Sequence, residues 1–356
     1  MRKRYYFMDL LFMDLLAIVS SLAVVMMHTS GNATYLGVVV NKFTSDGVWS
    51  VLTNILFAFA VPIFFMQSGA KVLNYRDRYD TKSFFTKRIS KVVIPFVFWS
   101  VLAYFLFGKW QSVPLLKSFL AESIVGPYCF FYNIIAFYLS VPVLSLLTKY
   151  GSDRLLKGAI CLIVFFKSVL PLLAVAFGYS MPFINALPLG GGYLQYFLAG
   201  WYVANHEIAP ATKKKLYLLA LLMLVLEIGL TLGLSYRTPR LPYYNYSLGY
   251  IKNFYDIANF PEFCVVLALF TWMKHSEDKI RAWRFKDHLP LLAGITFGIY
   301  LLHPFVIYYL MPVLQKYLGA SPIYVRYFAY PLVIYLVSAA LTVLLRKIPG
   351  AKYVLP

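Results

Sequence analysis

The sequence predicts an all-α membrane protein, a polytopic bundle of about ten transmembrane helices with both termini in the cytoplasm. Composition gives the class: 61% of the 356 residues are hydrophobic and 13% are charged, whereas soluble domains carry about 25% charged residues. Lysine and arginine gather in short loops between apolar runs, which is typical of membrane proteins. At this length we expect one integral membrane domain over residues 1–356.

Ten apolar segments account for the predicted helices, since a helix needs about 20 apolar residues to cross a bilayer. The sixth segment is short and opens with glycines, so it either starts earlier or is a broken helix. The basic N-terminus resembles a signal peptide, but the apolar run after it is too long, and we assign that run to the first helix. The ten segments are 8–28, 48–70, 92–108, 127–148, 158–178, 191–204, 216–235, 254–273, 289–311 and 323–345.

The charges in the loops support this number of helices and their orientation. With the N-terminus inside and the helices alternating, the inside loops hold 24 lysines and arginines and the outside loops hold 8. This bias follows the positive-inside rule. It also explains the net charge of +19 without nucleic acid as a partner. The cysteines lack paired spacing and predict neither a disulfide framework nor a metal site; they are Cys129, Cys161 and Cys264.

The first segment carries two ionisable residues, and such groups inside a membrane indicate function by default. Asp14 and His28 are fourteen residues apart, which on a helix means about 21 Å along the axis and roughly 40° around it. They share a face that we expect to point into the bundle, with Ser20 and Ser21 nearby. The alternative for His28 is an interfacial histidine that faces lipid headgroups.

A second histidine, His303, lies in the ninth segment within "GITFGIYLLHPF". The next residue, Pro304, frees a backbone carbonyl and predicts a kink. The alternative to a functional role is a structural histidine bonded to a neighbouring helix. For the other charges at membrane depth we prefer pairing with each other or with water; these are Lys167, Glu227, Asp256 and Glu262.

Basic residues cluster where the second segment ends and the third begins. Lys87, Arg88 and Lys91 open the third helix on the predicted cytoplasmic side, and Arg76 and Arg78 lie in the preceding loop. Such a cluster is usually a positive-inside anchor. It equally suits an anionic cofactor, because arginine and lysine are the natural partners of phosphate.

Six motifs in the same order resemble the acyltransferase-3 family of integral membrane acyltransferases, along the whole chain. The first segment looks like the family's opening helix, which ends in its essential histidine, here His28. The third motif is a basic helix entry, and the last is Ile-Tyr-Leu-x-His-Pro. The motifs read "MDLLAIVSSLAVVMMH", "VPIFFMQSGAKVL", "FFTKRISKVVIPFVFW", "YCFFYNIIAFYLSVPVL", "YLQYFLAGWYVA" and "TFGIYLLHPFVI".

Two departures from the family pattern bear on the chemistry. The family usually has an arginine eleven residues before the histidine, in an Asp-x-x-Arg pattern; here Asp14 is present, but Ala17 stands at the arginine position. A His-Leu-Trp-Phe-like stretch is replaced by Tyr128-Cys129-Phe130-Phe131. The first departure leaves three possibilities: a substitute cation, a different chemistry, or an inactive protein.

The resemblance implies a membrane-bound O-acyltransferase that takes an acyl group from cytoplasmic acyl-CoA, with acetyl-CoA the first choice. The acceptor would be a hydroxyl of an extracytoplasmic surface polysaccharide or lipid-linked glycan, at the plasma (inner) membrane of a bacterium. His28 would act as general base, with formation of an acyl-imidazole as the other option. His303 would orient the acceptor or stabilise the oxyanion, and Asp14 completes the catalytic set. We assign Lys87, Arg88, Lys91, Arg76, Arg78 and Ser68 to the donor, and Tyr128 and Asn133 to the sugar.

Two other functions compete with acyl transfer. A flippase or exporter of a polysaccharide or lipid-linked sugar would move its ligand without consuming CoA, and the missing arginine strengthens that option. A non-catalytic scaffold in a polymer-synthesis complex is the third. Its loss of function should not track with His28.

Overall fold

A computed structural model describes residues 10–29, 45–121, 124–176, 193–237, 258–319 and 321–356. Within these ranges all regular structure is helical, which confirms the predicted all-α class. Eight helical stretches of the described chain are long and apolar enough to cross a membrane. The orientation of the termini stays a prediction.

The eight stretches correspond to eight of the ten predicted segments. The sixth and eighth segments form shorter helices in the described residues: Leu194–Asn205, with 12 residues, and Phe260–His275, with 16. The first two glycines of the sixth segment, most of the tyrosine-rich loop 236–253, and Asp256 lie outside the described residues.

The third helix begins before the predicted apolar segment 92–108 and also before Lys87, which was expected to open it together with Arg88 and Lys91. It is continuous over Thr81–Leu106. It starts at Thr81 because Asp80 caps its first turn by accepting a hydrogen bond from the Ser83 N–H at 2.6 Å. The helix therefore includes the basic residues, and a π-helical turn at Ile89–Val93 follows two of them. Hydropathy alone missed this part because charged side chains fill its exposed face.

The chain divides into two compact units. Unit 1 comprises Met1–Val72 and Tyr150–Leu289, and unit 2 comprises Leu73–Lys149 and Pro290–Pro356. The helices assigned to unit 1 are α1 (Leu11–Thr29), α2 (Ser45–Phe57), α3 (Ala60–Val72), α8 (Asp153–Val164), α9 (Leu170–Ala176), α10 (Leu194–Asn205), α11 (Pro210–Arg237), α12 (Phe260–His275) and α13 (Glu277–Arg281). Those assigned to unit 2 are α4 (Thr81–Arg88), α5 (Ile94–Leu106), α6 (Leu115–Leu120), α7 (Cys129–Tyr150), α14 (Leu289–Leu318) and α15 (Tyr330–Leu345).

In unit 1, α3 and α10 cross with their backbones in contact, and two glycines permit this. A Cβ atom at Gly69 would lie 1.8 Å from the carbonyl oxygen of Phe197. A Cβ atom at Gly200 would lie 2.1 Å from the carbonyl oxygen of Met66. The Ser-Gly step of the second motif is thus a packing requirement, as small residues are at helix crossings in membranes.

Helix α1 is fixed to its neighbours near its N-terminal end. The Glu277 carboxylate accepts hydrogen bonds from the N–H groups of Leu11 and Phe12, at 3.3 and 2.8 Å. It therefore satisfies two donors that a helix leaves open in its first turn. The buried Gln67 amide on α3 donates to the Met13 carbonyl at 2.7 Å. Both contacts set the position of the helix that ends in His28.

Unit 2 is centred on aromatic rings from three of its helices. Phe96 stacks on Phe131 with ring centroids 4.8 Å apart, and Phe131 meets Tyr300 edge-on at 5.5 Å. Helices α14 and α15 approach closely at Gly298, where a Cβ atom would lie 2.2 Å from the Thr342 side chain. This packing fixes the part of α14 that carries the second histidine.

Candidate functional site

The two ionisable residues of α1 lie at opposite ends of one uninterrupted helix. Asp14 is in the first turn, His28 is in the last turn, and both are half-buried. The helix geometry expected from the sequence therefore applies, with about 21 Å of rise between them. They share a face, but they do not form one catalytic pair.

Ala17, at the position of the family arginine, is also half-buried on α1. One turn before Ala17, the Met13 carbonyl accepts a hydrogen bond from the neutral side-chain amide of Gln67. Gln67 therefore does not supply the missing positive charge. Ser68 follows it on α3 and is half-buried beside the crossing with α10, so it belongs to the same unit as His28.

The basic cluster lies in unit 2, and aromatic rings hold two of its cations. The Lys87 ammonium is 4.0 Å from the ring centroid of Tyr79. The Arg88 guanidinium is 5.6 Å from the Phe84 centroid and 5.4 Å from the Tyr138 centroid. The face of an aromatic ring attracts a cation electrostatically, and this attraction does not use the N–H donors of the cation. Both heads are therefore positioned while their donors stay available.

Arg88 differs from the other basic residues of this cluster in its hydrogen bonding. Its Nε atom is buried and has no hydrogen-bond partner among the described residues. A buried donor without a partner is costly, and in native proteins it usually indicates a bound group or a functional role. An anion would satisfy this donor and the charge together.

Arg76 has a different environment, which the sequence did not reveal. Its Nε donates to the Ser145 hydroxyl at 2.9 Å, and its Nη2 donates to the Pro142 carbonyl at 3.1 Å. These bonds join the short helix Tyr75–Asp77 to α7 and give Arg76 a structural role. Arg78 lies over the Tyr79 ring at 5.5 Å and is exposed. Lys91 is exposed on the π-helical turn.

The two predicted sugar contacts both make hydrogen bonds within unit 2. The Tyr128 hydroxyl is buried and donates to the Leu301 carbonyl at 2.5 Å. The Asn133 amide donates to the Cys129 carbonyl of its own helix at 3.1 Å. These contacts give Tyr128 a role in holding α14, and a sugar-binding role for either residue stays a prediction.

His303 is fully buried in α14, and its tautomer follows from its contacts. Its Nδ1 lies 2.7 Å from the Tyr300 carbonyl, and because a carbonyl only accepts, Nδ1 must donate. This is the carbonyl that Pro304 leaves without its helical partner. In the neutral ring Nε2 is then the acceptor nitrogen. Such a ring can receive a proton from a hydroxyl, whereas it stabilises an oxyanion only after protonation.

Sequence reasoning missed the aromatic rings around the cations, although part of the signal was present. Phe84 and Arg88 are four residues apart in "FFTKR", a spacing that places two side chains together on a helix. Tyr79 and Tyr138 come from other elements and required the fold. Among the described side chains, no group of three or more histidine, cysteine, aspartate or glutamate residues could hold a metal ion.

A family model described as an acyltransferase domain, that of the acyltransferase-3 family, matches residues 10–347. No curated protein and no solved structure matches the chain. The match covers nearly the whole length, including α1 with His28, the basic cluster, and His303. The apolar helices place these residues in an integral membrane protein. The chain therefore belongs to the acyltransferase-3 family, and it is a membrane acyltransferase.

Proposed function

We propose that this acyltransferase moves an acyl group, with acetyl as the first choice, from cytoplasmic acyl-CoA to a hydroxyl of a cell-surface glycan or its lipid-linked precursor. The acceptor lies on the extracytoplasmic side of the plasma (inner) membrane of a bacterium. The observation that carries the donor assignment is Arg88, whose buried Nε lacks a partner among the described residues. Its charge and its free donor suit a phosphate of CoA.

The surrounding basic residues divide into two groups in this proposal. Lys87 and Arg88 are positioned by aromatic rings, and Arg78 and Lys91 are exposed near them. We assign these four residues to the phosphates of the donor. Arg76 makes two hydrogen bonds to α7 that support the loop, and its assignment to the donor stays a prediction.

The proposed chemistry needs a base for the acceptor hydroxyl, and we assign this role to His28. Its neutral imidazole takes the hydroxyl proton while the oxygen attacks the thioester carbonyl. The new C–O bond forms, the C–S bond breaks, and the departing sulfur receives the proton as CoA-SH. His303, with Nε2 as the acceptor nitrogen, orients a hydroxyl. Asp14 supports α1 from the other end of the same face.

The first test measures transfer of isotope-labelled acetyl from acetyl-CoA to glycan in membrane vesicles. The His28→Ala variant should lose about 10²- to 10⁴-fold in rate, the usual contribution of a general base. The matched control is His288→Ala, which removes an exposed histidine of a short helix at Lys286–His288. Wild-type turnover in a folded His28→Ala protein would refute the role. Glycan movement without label would favour an exporter.

The second test measures the KM for acyl-CoA in an Arg88→Gln variant. Hydrogen bonds to charged groups contribute about 1.5–3 kcal/mol, so the KM should rise roughly tenfold or more. Arg284→Gln is the matched control, because Arg284 is exposed and lies 4.9 Å from the Phe285 ring in a similar cation–π contact. An equal change in both variants would show a general charge effect and remove the donor assignment.

A further inference from the structure

Two glutamates are buried inside unit 1, and the proposed acyl transfer does not use them. Glu227 lies on α11 and Glu262 lies on α12, and each is 1% exposed. The two helices pack along each other, and the carboxyl groups are near enough for their charges to interact. None of the four carboxyl oxygens makes a hydrogen bond within the described part of the chain.

A network of polar groups leads to this pair. The Asn259 side chain accepts a hydrogen bond from the Glu262 N–H at 2.9 Å. It also approaches Glu227, although no hydrogen bond of ordinary geometry joins them. Ser168 donates to the Ala258 carbonyl at 2.5 Å and receives a hydrogen bond from Gln195 at 3.3 Å. Polar groups from three elements thus converge on the start of α12.

Ser168 belongs to a π-helical turn, Phe165–Val169. Such turns break the regular helix ladder and often occur at functional sites. The described acidic, basic and histidine side chains on the other elements packed against α11 and α12 are Asp14 and His28 on α1, Lys71 on α3, Lys167 on the π-helical turn, and the charged residues of α13. Helix α10 adds the tyrosines Tyr196 and Tyr202. None of them donates a hydrogen bond to a carboxyl oxygen of either glutamate.

Two carboxylates buried side by side cannot both stay charged without a compensating partner, because burial and mutual repulsion both disfavour the second charge. We propose that Glu227 and Glu262 form a proton-binding site inside the membrane, in which the two carboxyl groups hold one proton between them. The ligand of the site is the proton itself. Buried carboxyl groups of this kind are the parts from which proton relays are made in membrane proteins.

Glu262 and His28 each lie at the far end of their helix from a contact that joins α1 to the residue after α12. The Glu277 carboxylate, just after α12, binds the first turn of α1, so the start of α12 and the end of α1 both point away from that contact. Glu262 stands at the start of α12, and His28 at the end of α1. A proton held by the pair is therefore stored in the same unit as the proposed base.

The test is infrared spectroscopy of the purified full chain in lipid nanodiscs at neutral pH. The wild type should show the carbonyl stretch of a protonated carboxylic acid, shifted in D₂O, and the Glu227→Gln/Glu262→Gln variant should lack it. Each single glutamine variant should shift the band, since the proton is shared, and the singles decide the question if the double variant does not fold. Glu207→Gln is the control, because that side chain is 67% exposed, and it should leave the band unchanged.

Three results would overturn the proposal. The first is the absence of a carboxylic-acid band from the wild type, and the second is its persistence in every glutamine variant. The third is stabilisation of the wild type by added Na⁺ that the double variant loses, which would show a cation in place of the proton. Neither measurement requires acyl transfer, so failure here is distinguishable from failure of the proposed function.

Discussion

Replacing Gly69 by alanine should weaken the crossing of α3 and α10. The new Cβ would lie 1.8 Å from the Phe197 carbonyl oxygen, while real Cβ contacts essentially never fall under 3.0 Å, so the backbones must part by roughly 1.2 Å. A clash between two backbones cannot be relieved by rotating a side chain. Overpacking of this kind costs about 1–3 kcal/mol, and alanine returns up to about 1 kcal/mol in helix propensity. We therefore expect a net loss of about 1–2 kcal/mol.

The measurement is equilibrium unfolding of the purified protein in detergent micelles, followed by helical circular dichroism. Gly229→Ala on α11 is the matched control, because a Cβ there meets nothing within 4 Å. That variant should be as stable as the wild type or slightly more stable. Gly200→Ala should behave like Gly69→Ala, and the double variant should lose less than the sum, because both changes separate the same crossing. Equal stability of Gly69→Ala and Gly229→Ala would refute the packing argument.

Three further predictions concern polar contacts. His303→Asn keeps a donor toward the Tyr300 carbonyl and should fold normally, whereas His303→Gln should lose about 1–3 kcal/mol of unfolding free energy. The N–H of Ser83 lowers the pKa of Asp80 below its ordinary value. The cap should therefore protect the first turn of α4 from hydrogen exchange fully at a pH above the ordinary pKa, and this protection should disappear as pH falls through the lowered pKa. The protection factors should show this pH dependence in the wild type and none in Asp80→Asn. Glu277→Ala should raise exchange in the first turn of α1, at a cost of about 1 kcal/mol; unchanged exchange would contradict its capping role.

The fold class followed from the sequence because membrane helices satisfy their own backbone hydrogen bonds, so apolar length alone identifies them. For the same reason the start of the third helix was predicted too late, at the basic residues instead of at Thr81. Charged residues such as Lys87 lower the hydropathy of a turn that is nevertheless helical, since Asp80 caps it. At a helix end that reaches water, a capping residue therefore predicts where the helix starts better than hydropathy does.

The candidate site divides in a similar way. His28 drew attention because an ionisable side chain in an apolar segment is conspicuous in the sequence, and Arg88 because it belongs to a basic cluster. The roles assigned to both residues stay predictions. The roles of Arg76 and Gln67 were not predictable, because each depends on which distant carbonyl lies within reach. The tautomer of His303 required the Tyr300 carbonyl as well as Pro304. Sequence spacing gives neighbours on one helix, whereas partners on another helix come only from the packing.

The carboxylate that caps α1 has a consequence for biosynthesis. Glu277 follows its partners Leu11 and Phe12 by 266 and 265 residues. At about 5–20 residues per second, the ribosome needs roughly 13 to 53 s to deliver it after α1 has emerged. During that interval the N–H groups of Leu11 and Phe12 lack the carboxylate that accepts their hydrogen bonds in the finished protein. The insertion machinery therefore meets α1 in an incomplete state, and mutation of Glu277 should lower the yield of assembled protein even where the finished molecule tolerates the change.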